Sequence, residues 1–334
     1  MNKNIYDIGI VGLGLVGQEH LSFYVKNKHV NKIYISEIKK IKNYNKKKII
    51  IDTNLLKFKK SKNKKIISIS SYDRDHCKNI INFYDNCHVF VEKPLCKNLT
   101  ELKSIYNFIK KKKFKKLLIS NLVLREAKIF NSVIDQIKKG VFGKIYYFEG
   151  DYLYGRLNKL ISGWRGKDKS YSVMLGGGIH MVDLMIRFLS SLPSFVESSS
   201  NKIVTSKEKF PFSDFIQSTY HFNNGAIGKI TSNFGCVYKH QHVIKVYGTK
   251  KTFIYDDNGA RVYSSRDPSK PKEIKISKKL YTGKACLLPS FFKKLEKDKK
   301  FSKSIYNELN LMTACIFADM SSHQKKKLKI NYLK

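Results

Sequence analysis

Short apolar blocks recur along the first third of the chain, each set off by stretches of mixed character. Residues 5–11, Lys32–Ser36, Lys48–Ile51, Ile66–Ser70, His88–Val91 and Leu117–Ser120 read as buried strands. Gln18–Lys26, Asp75–Asp85 and Thr100–Lys113 read as helices between them. Short apolar strands alternating with helices predict a parallel, doubly wound α/β sheet. This unit closes near Asn121, which defines a first domain over residues 1–121. The pattern then changes. A helix over Ala127–Lys139 stops at Gly140, a suitable C-cap. Beyond it come Lys144–Tyr154, Phe215–Phe222, Ala226–Phe234, His242–Tyr247 and Thr252–Asp256, several of which alternate apolar and polar residues. Asn224-Gly225 joins two of these as a hairpin turn. Further helices are expected over 178–189 and Ser304–His323. Residues 122–334 are therefore expected to form a second α/β domain around a large, mostly antiparallel open sheet with helices on one face.

Composition bounds the partners. The chain has 334 residues, 42% of them apolar, which suits two globular domains. No run approaches the roughly 20 apolar residues of a membrane span, and Met1–Asp7 lacks the features of a signal peptide. A soluble, cytoplasmic protein with no membrane partner is expected. The six cysteines are scattered, which favours reduced thiols over disulfides or a structural zinc. The net charge of +39 invites a nucleic-acid reading. However, only seven residues are arginine, and the lysines lie in separate runs at Lys46–Lys48, Lys57–Lys65, Lys110–Lys116 and Lys325–Lys327. Recognition of phosphates and bases leans on arginine's planar fork, so no specific nucleic-acid partner is expected. Anionic small molecules, nucleotide sugars among them, would still be drawn to such a surface.

Chemistry enters at Gly12-Leu13-Gly14-Leu15-Val16-Gly17, a GxGxxG that follows one strand and opens one helix. That context gives it meaning: a tight turn, a close backbone approach to a pyrophosphate, and close helix–strand packing in a Rossmann unit. Glu37 stands twenty residues after Gly17, at the end of the second strand, where a carboxylate accepts both ribose hydroxyls and repels a 2′-phosphate. NAD is favoured on that ground, although Lys39 and Lys40 soften the repulsion and keep NADP open. Strand five runs into Glu92-Lys93-Pro94, at the edge where doubly wound sheets bind ligands. In the second domain Gly176-Gly177-Gly178 precedes His180 and Asp183, which share a helix face. An imidazole there is a candidate proton acceptor; the plainer alternative is a backbone-satisfied histidine, with Asp183 paired to Arg187. Tyr152, Tyr154 and Arg156 fall on alternate positions. With Trp164 and Arg165 they suit a sugar, or a phosphate or carboxylate on it, though tyrosines serve equally well in a core or subunit interface. Arg125 is a further candidate anion contact, while His240 and His242 have no neighbouring acid or thiol in sequence to complete a metal site.

Taken together, these residues resemble the glucose–fructose oxidoreductase, inositol dehydrogenase and rhizopine-catabolism family (Gfo/Idh/MocA). The resemblance rests on Gly12, Gly14 and Gly17; His76; Glu92-Lys93-Pro94; Gly140-Val-Phe-Gly143-Lys-Ile; Gly178-Ile-His180-Met-Val-Asp183-Leu; and Val246-Tyr-Gly-Thr-Lys250. It implies bound NAD or NADP, a sugar, inositol or nucleotide-sugar substrate, and homodimers or homotetramers formed through the open sheet. It also implies active-site roles for Lys93 and His180, and cofactor contacts from Ser70, Ser71, His76, Glu92, Pro94 and Asn121. On this reading His180 takes the hydroxyl proton and Lys93 stabilises the developing alkoxide. Two departures stand out. Many members carry an aspartate four residues before the histidine, where this chain has Gly176; Asp183 is then a candidate to orient His180. Ser70-Ser71-Tyr72 also replaces a turn that commonly contains proline. Two alternatives remain on the same fold: an enzyme that retains its nucleotide through turnover, and a non-enzymatic ligand sensor.

Overall fold

The structure, a computed structural model, describes residues 5–38, 47–168, 170–267, 269, 272–273, 280–298 and 300–333. Lys39, Lys40 and Lys46 lie outside the described residues. The chain begins with β1 (Tyr6–Val11), α1 (Leu15–Lys26), β2 (Val30–Ser36), β3 (Ile49–Ile51), α2 (Leu56–Lys60), β4 (Lys64–Ile69), α3 (His76–Phe83), β5 (Cys87–Val91), α4 (Leu99–Lys111) and β6 (Leu118–Ser120). There follow α5 (Lys128–Lys138), β7 (Ile145–Leu153), α6 (Leu157–Ile161), α7 (Ile179–Leu189), β8 (Phe195–Asn201), β9 (Phe215–His221), β10 (Ile227–Asn233), β11 (Gln241–Gly248), β12 (Thr252–Asp256), β13 (Gly259–Tyr263) and β14 (Lys272–Glu273). The chain closes with α8 (Leu288–Lys297), α9 (Ser302–Gln324) and β15 (Leu328–Lys329).

Two compact units emerge. The first comprises residues 1–123 and 281–309, the second residues 124–280 and 310–334. In the first, the strands pair in the order β3-β2-β1-β4-β5-β6, all parallel. The order reverses between β1 and β4, which opens a crevice at their carboxyl ends. Strands covered on both faces carry near-continuous apolar runs, and Ile8, Ile10, Ile66, Ile67, Val89, Phe90 and Val91 are all fully buried. Helix α4 shows how local sequence fixes an end. The Asn98 side chain accepts from the Glu101 N–H at 2.9 Å, and Glu101 reaches back to the Lys97 N–H at 2.8 Å, a reciprocal cap of the kind that satisfies orphan helix donors.

The return of residues 281–309 to this unit departs from the expectation that everything after 122 belongs to the second domain. Its cause is α8, which the sequence pattern did not reveal. Leu288, Phe291, Phe292 and Leu295 recur at helical spacing and join the core of Tyr6, Ile8, Tyr24 and Phe90. The Phe291 ring meets Phe90 edge-on at 5.4 Å, and Phe292 meets Tyr6 at 5.9 Å.

The second unit is built on a nine-stranded sheet among the described residues, ordered β14-β13-β12-β11-β7-β10-β9-β8-β15. Only β7 and β10 pair in parallel; every other pairing is antiparallel. The expected hairpin joins β9 to β10. Gly225 adopts φ +82°, and the Phe222 N–H donates to the Ala226 carbonyl at 3.0 Å. Phe148, Phe188 and Phe253 pack together between sheet and α7, their centroids 5.8 Å apart for Phe148–Phe188 and 6.2 Å for Phe188–Phe253. Alternate residues of β7 and β11, such as Tyr147, Glu149, Lys245 and Tyr247, are only half-buried. Strand β8 escaped the sequence pattern because FVESSSN offers little apolar alternation. Among the described residues, no helix is long and apolar enough to cross a membrane.

Because α8 supplies core to the first unit, Phe291→Ala should destabilise that unit by about 3–5 kcal/mol. Hydrogen exchange should register the loss as faster exchange in β1 and β5; exchange altered only beyond residue 124 would contradict this assignment.

Candidate functional site

The crevice of the first sheet is lined by the glycine loop. At the end of β1, Gly12 adopts φ +86°, a conformation that side chains rarely tolerate, and a Cβ there would lie 2.7 Å from the Ser70 carbonyl. The Gly12 N–H donates to Ser36 O at 2.9 Å, and the Ser70 hydroxyl donates to Gly12 O at 2.7 Å. Gly17 faces inward, where a Cβ would strike the Gly12 carbonyl. Gly14, the N-cap of α1, has nothing within 4 Å of where its Cβ would stand. Leu15 is 84% exposed, and no acidic residue occupies the first turn of α1. Open space therefore meets the orphan N–H groups of a helix start, a natural anion cradle. At the mouth of the loop, Glu37 accepts the Leu13 N–H at 2.5 Å and the Ile38 N–H at 2.8 Å. A cradle for a pyrophosphate with a carboxylate beside it fits the dinucleotide expected from the sequence. Leu13 is buried beneath the loop and Val16 half-buried.

The ends of β4, β5 and β6 complete the same edge. Ser70 and Ser71 follow β4, Glu92-Lys93-Pro94 follows β5, and Asn121 follows β6. His76, fully buried, braces two of these loops: Nδ1 lies 2.6 Å from the Pro94 carbonyl and Nε2 3.2 Å from that of Ser71. The Lys93–Pro94 bond is cis. Glu92 accepts from Asn121 Nδ2 at 2.5 Å, and burial pushes its carboxyl up to about 7. Sequence reasoning missed two members of this group, His20 and Lys284. His20 lies three residues after Gly17, so it turns to the same sheet-facing side of α1, a signal that was available. The Lys284 carbonyl accepts from Asn121 Nδ2 at 2.6 Å, and only tertiary structure brings it there.

In the second unit a π-turn over Met174–Gly178 leads directly into α7 and presents His180, which is 7% exposed. Its ring stacks on Tyr152 at 6.0 Å with an interplanar angle of 17°. Tyr152 in turn stacks on Tyr154 at 6.1 Å, and Phe234 lies 4.4 Å from Tyr154. His240 and His242 meet Tyr152 edge-on, each at 5.3 Å. The Arg165 guanidinium lies 4.6 Å from the Trp164 ring and 6.0 Å from Tyr154, and Arg156 lies 5.9 Å from Tyr154. The structure thus gathers Tyr152, Tyr154, Arg156, Trp164 and Arg165 in one aromatic and cationic group that reaches His180 through Tyr152. Among the described residues no set of three or more His, Cys, Asp or Glu is placed to hold a metal ion.

Asp183 corrects one expectation. Its charge favours that of Arg187, but its hydrogen bonds go elsewhere. Its carboxylate is held by Arg125, with Nε at 3.0–3.1 Å from both oxygens and Nη2 at 2.7 Å from Oδ1. The planar guanidinium matches a carboxylate through two parallel bonds, and both side chains are largely buried. Arg187 donates instead to Asn131 at 2.7 Å. Arg125, a candidate anion contact, is thereby engaged with Asp183.

Comparison with known families matches residues 6–119 to a model described as the oxidoreductase family with NAD-binding Rossmann fold. Residues 130–254 match one described as the GFO/IDH/MocA C-terminal domain. No curated protein matches the sequence. Among solved structures, myo-inositol 2-dehydrogenase from Lactobacillus plantarum superposes with a TM-score of 0.78 and 15% identity, covering 98% of this chain and 100% of that one. A levoglucosan dehydrogenase in complex with NADH and levoglucosan gives 0.79 and 15%, with coverage of 98% and 100%. Scyllo-inositol dehydrogenase from Lactobacillus casei, with bound NAD(H) and scyllo-inositol, gives 0.74 and 13%, with coverage of 98% and 99%. At these identities the likeness is one of fold.

The Arg125–Asp183 pair should be structural. Asp183→Asn should cost about 3 kcal/mol in urea denaturation, because it leaves a buried guanidinium uncompensated. Unchanged stability with a collapse of kcat would return Asp183 to the service of His180.

Proposed function

The chain belongs to the Gfo/Idh/MocA family of oxidoreductases, and from that premise we propose that it transfers hydride between a nicotinamide nucleotide and a hydroxyl-bearing carbon of a sugar, inositol or nucleotide sugar. The observation that carries the reading is the Gly12–Gly17 cradle with Glu37 at its mouth. Glu37 favours NAD over NADP, since a carboxylate at that place accepts ribose hydroxyls and repels a 2′-phosphate. When bound, the nicotinamide supplies or accepts the hydride. His180 takes the hydroxyl proton in the oxidative direction and returns it in the reductive one. Lys93, as an ammonium, donates a hydrogen bond to the oxygen on which negative charge develops. Ser70, Ser71, Glu92, Pro94 and Asn121 belong to the nucleotide side of the reading, with His76 as the buried brace behind them.

The substrate class is supported by the group beside His180. Flat aromatic faces suit the C–H faces of a sugar ring, and the guanidinium N–H groups of Arg156 and Arg165 suit its oxygens. Structural neighbours crystallised with scyllo-inositol and levoglucosan point to the same polyhydroxylated class. In this reading residues 1–121, joined by the returning segment, bind the nucleotide, and the remainder of the second unit binds substrate. The half-buried face of the nine-stranded sheet is the surface on which copies of the chain assemble into a homodimer or homotetramer. Cysteines held as free thiols accord with a cytoplasmic setting.

Thermal stabilisation by NAD(H) and NADP(H), compared at equal concentration on nucleotide-free protein, tests the cradle. NAD(H) at about 100 times its Kd should add about 2.7 kcal/mol, and Glu37→Ala should narrow the gap between the two nucleotides. No response to any of the four would overturn the dehydrogenase reading. His180→Asn should lower kcat by about 10²–10⁴-fold while NADH affinity, followed by fluorescence, is unchanged.

A further inference from the structure

Behind the Glu92-Lys93-Pro94 turn lies a buried polar cluster that includes His20, a residue to which neither the glycine motif nor the family resemblance assigns a role. His20, on α1, is fully buried. Its Nδ1 lies 3.0 Å from Ser68 Oγ, and its Nε2 lies 3.5 Å from Glu92 Oε1 and 3.3 Å from Asn121 Nδ2. The two N–H bonds of the Asn121 amide go to Glu92 Oε1 at 2.5 Å and the Lys284 carbonyl at 2.6 Å. The backbone ties the same parts together: Glu92 N–H donates to Ile69 O at 2.8 Å, and Asn121 N–H to Val91 O at 2.7 Å. Two side chains, one from α1 and one from the end of β6, thus meet one carboxyl group, and Ser68 and the Lys284 carbonyl stand behind them.

We propose that His20 is a positioning residue: with Asn121 it holds the Glu92 carboxyl behind the carboxyl ends of β4–β6 and so fixes the backbone from which Lys93 projects. The inference rests on the hydride-transfer reading above. Its physical basis is that hydrogen bonds in a low-dielectric interior hold the groups that make them: both N–H bonds of the Asn121 amide are engaged, while its Oδ1 meets no partner among the described residues. Burial drives His20 down to about 4, against the Lys284 carbonyl, so its imidazole is neutral. Since both Asn121 N–H groups are committed, the tautomer that fits carries its proton on Nε2, toward the Lys284 carbonyl with Glu92 Oε1 3.5 Å away, and accepts from Ser68 at Nδ1. Glu92 and Lys93 are consecutive, so a carboxyl pinned from two sides leaves the Lys93 backbone little freedom.

The charge of Glu92 then reports on Lys93. Burial raises the carboxyl to about 7, opposed by the Asn121 bond and the ammonium groups of Lys93 and Lys284 and assisted by Asp73. His20 from α1, Asn121 from the end of β6, Lys284 from the returning segment and Asp73 after β4 are the polar and charged groups that face it. As pH rises through about 7, Glu92 loses its proton and gains negative charge beside Lys93. That charge stabilises the ammonium and makes Lys93 less nucleophilic.

The test uses the full chain and two readouts. Trace acylation with acetic anhydride, followed by mass spectrometry of the Lys93 peptide, is run across about pH 6–9, and kcat and KM are measured in parallel. In the wild type, Lys93 labelling relative to the other lysines should fall as pH passes about 7. Glu92→Gln should remove that inflection. His20→Ala should displace it and lower kcat by about 10–100-fold, with KM for the nucleotide changed far less. His20→Gln, which restores an N–H donor, should recover most of kcat. A His20→Ala protein whose labelling profile and kcat match the wild type, whatever its melting temperature, would overturn the proposal. If His20→Ala does not fold, His20→Leu and Asn121→Ser, which lack the donor, carry the same comparison, and wild-type behaviour in both would overturn it equally. Should the wild type bind nucleotide yet turn over no polyol, the hydride-transfer reading fails. A labelling inflection that still answers to His20 and Glu92 would then uphold the positioning role by itself.

Discussion

Six parallel strands whose order reverses between β1 and β4 leave every carboxyl end on one edge and part the loops at the reversal. Everything in the first unit that bears on chemistry follows from that constraint. The glycine loop after β1, the serines after β4, the Glu-Lys-Pro turn after β5 and Asn121 after β6 are far apart in sequence, yet topology makes them neighbours. Gly12 and Gly17 then allow α1 to start hard against the sheet, with its free N–H groups turned toward open space at Gly14. Among the described residues the anion cradle is therefore a product of strand order and two missing side chains. This also explains why a chain of charge +39 need not use its lysines to hold a phosphate.

The parts legible in the sequence were those whose signal is local. The apolar runs of β1, β4 and β5 could hardly be anything but buried strands, the glycines after β1 named the turn, and Asn224-Gly225 named the hairpin. What escaped depended on partners distant in the chain. Helix α8 carries its apolar residues at helical spacing, but nothing local says that they close the core around Tyr6 and Phe90, so the segment was assigned to the wrong domain. Strand β8 is too rich in serine to alternate clearly; Ser198 earns its place by hydrogen bonds, its N–H to Ser321 Oγ at 2.9 Å and its hydroxyl to Ser218 at 2.7 Å. Asp183 shares a helix face with His180, so the spacing argument was sound as far as it went. It failed because Arg125 offers a two-pronged partner that helix geometry cannot foresee.

Buried ionisable groups in the two units are handled in different ways. The second unit neutralises Asp183 with a guanidinium, which keeps both charges and fixes the start of the domain to α7. The first unit supplies Glu92 with neutral donors and only partly screened ammonium groups, so burial moves its titration to about 7. His20 answers the same pressure in the opposite sense and stays uncharged. A pair of fixed charges makes a rigid anchor. A group that titrates near neutrality makes a site whose electrostatics can change, and this one sits directly beside the lysine of the Glu-Lys-Pro turn.

The glycine run before His180 has a related logic. A carboxylate four residues before the histidine is common in the family, yet a side chain at position 176 would collide here with the hydroxyl and Cζ of Tyr171. The space is therefore not vacant. It is filled by the phenol of a residue five positions upstream, and Arg165 Nε donates to that phenol at 3.1 Å. Where the family pattern has a carboxylate, this chain places beside Gly176 a phenol in contact with a guanidinium. An aspartate at 176 would require the Tyr171 ring to shift, and loss of the hydroxyl would remove one hydrogen bond of Arg165. Gly176 and the aromatic, arginine-bearing group around Tyr154 are thus linked, through Tyr171 and the Arg165 guanidinium that lies 6.0 Å from both the Tyr171 and the Tyr154 rings.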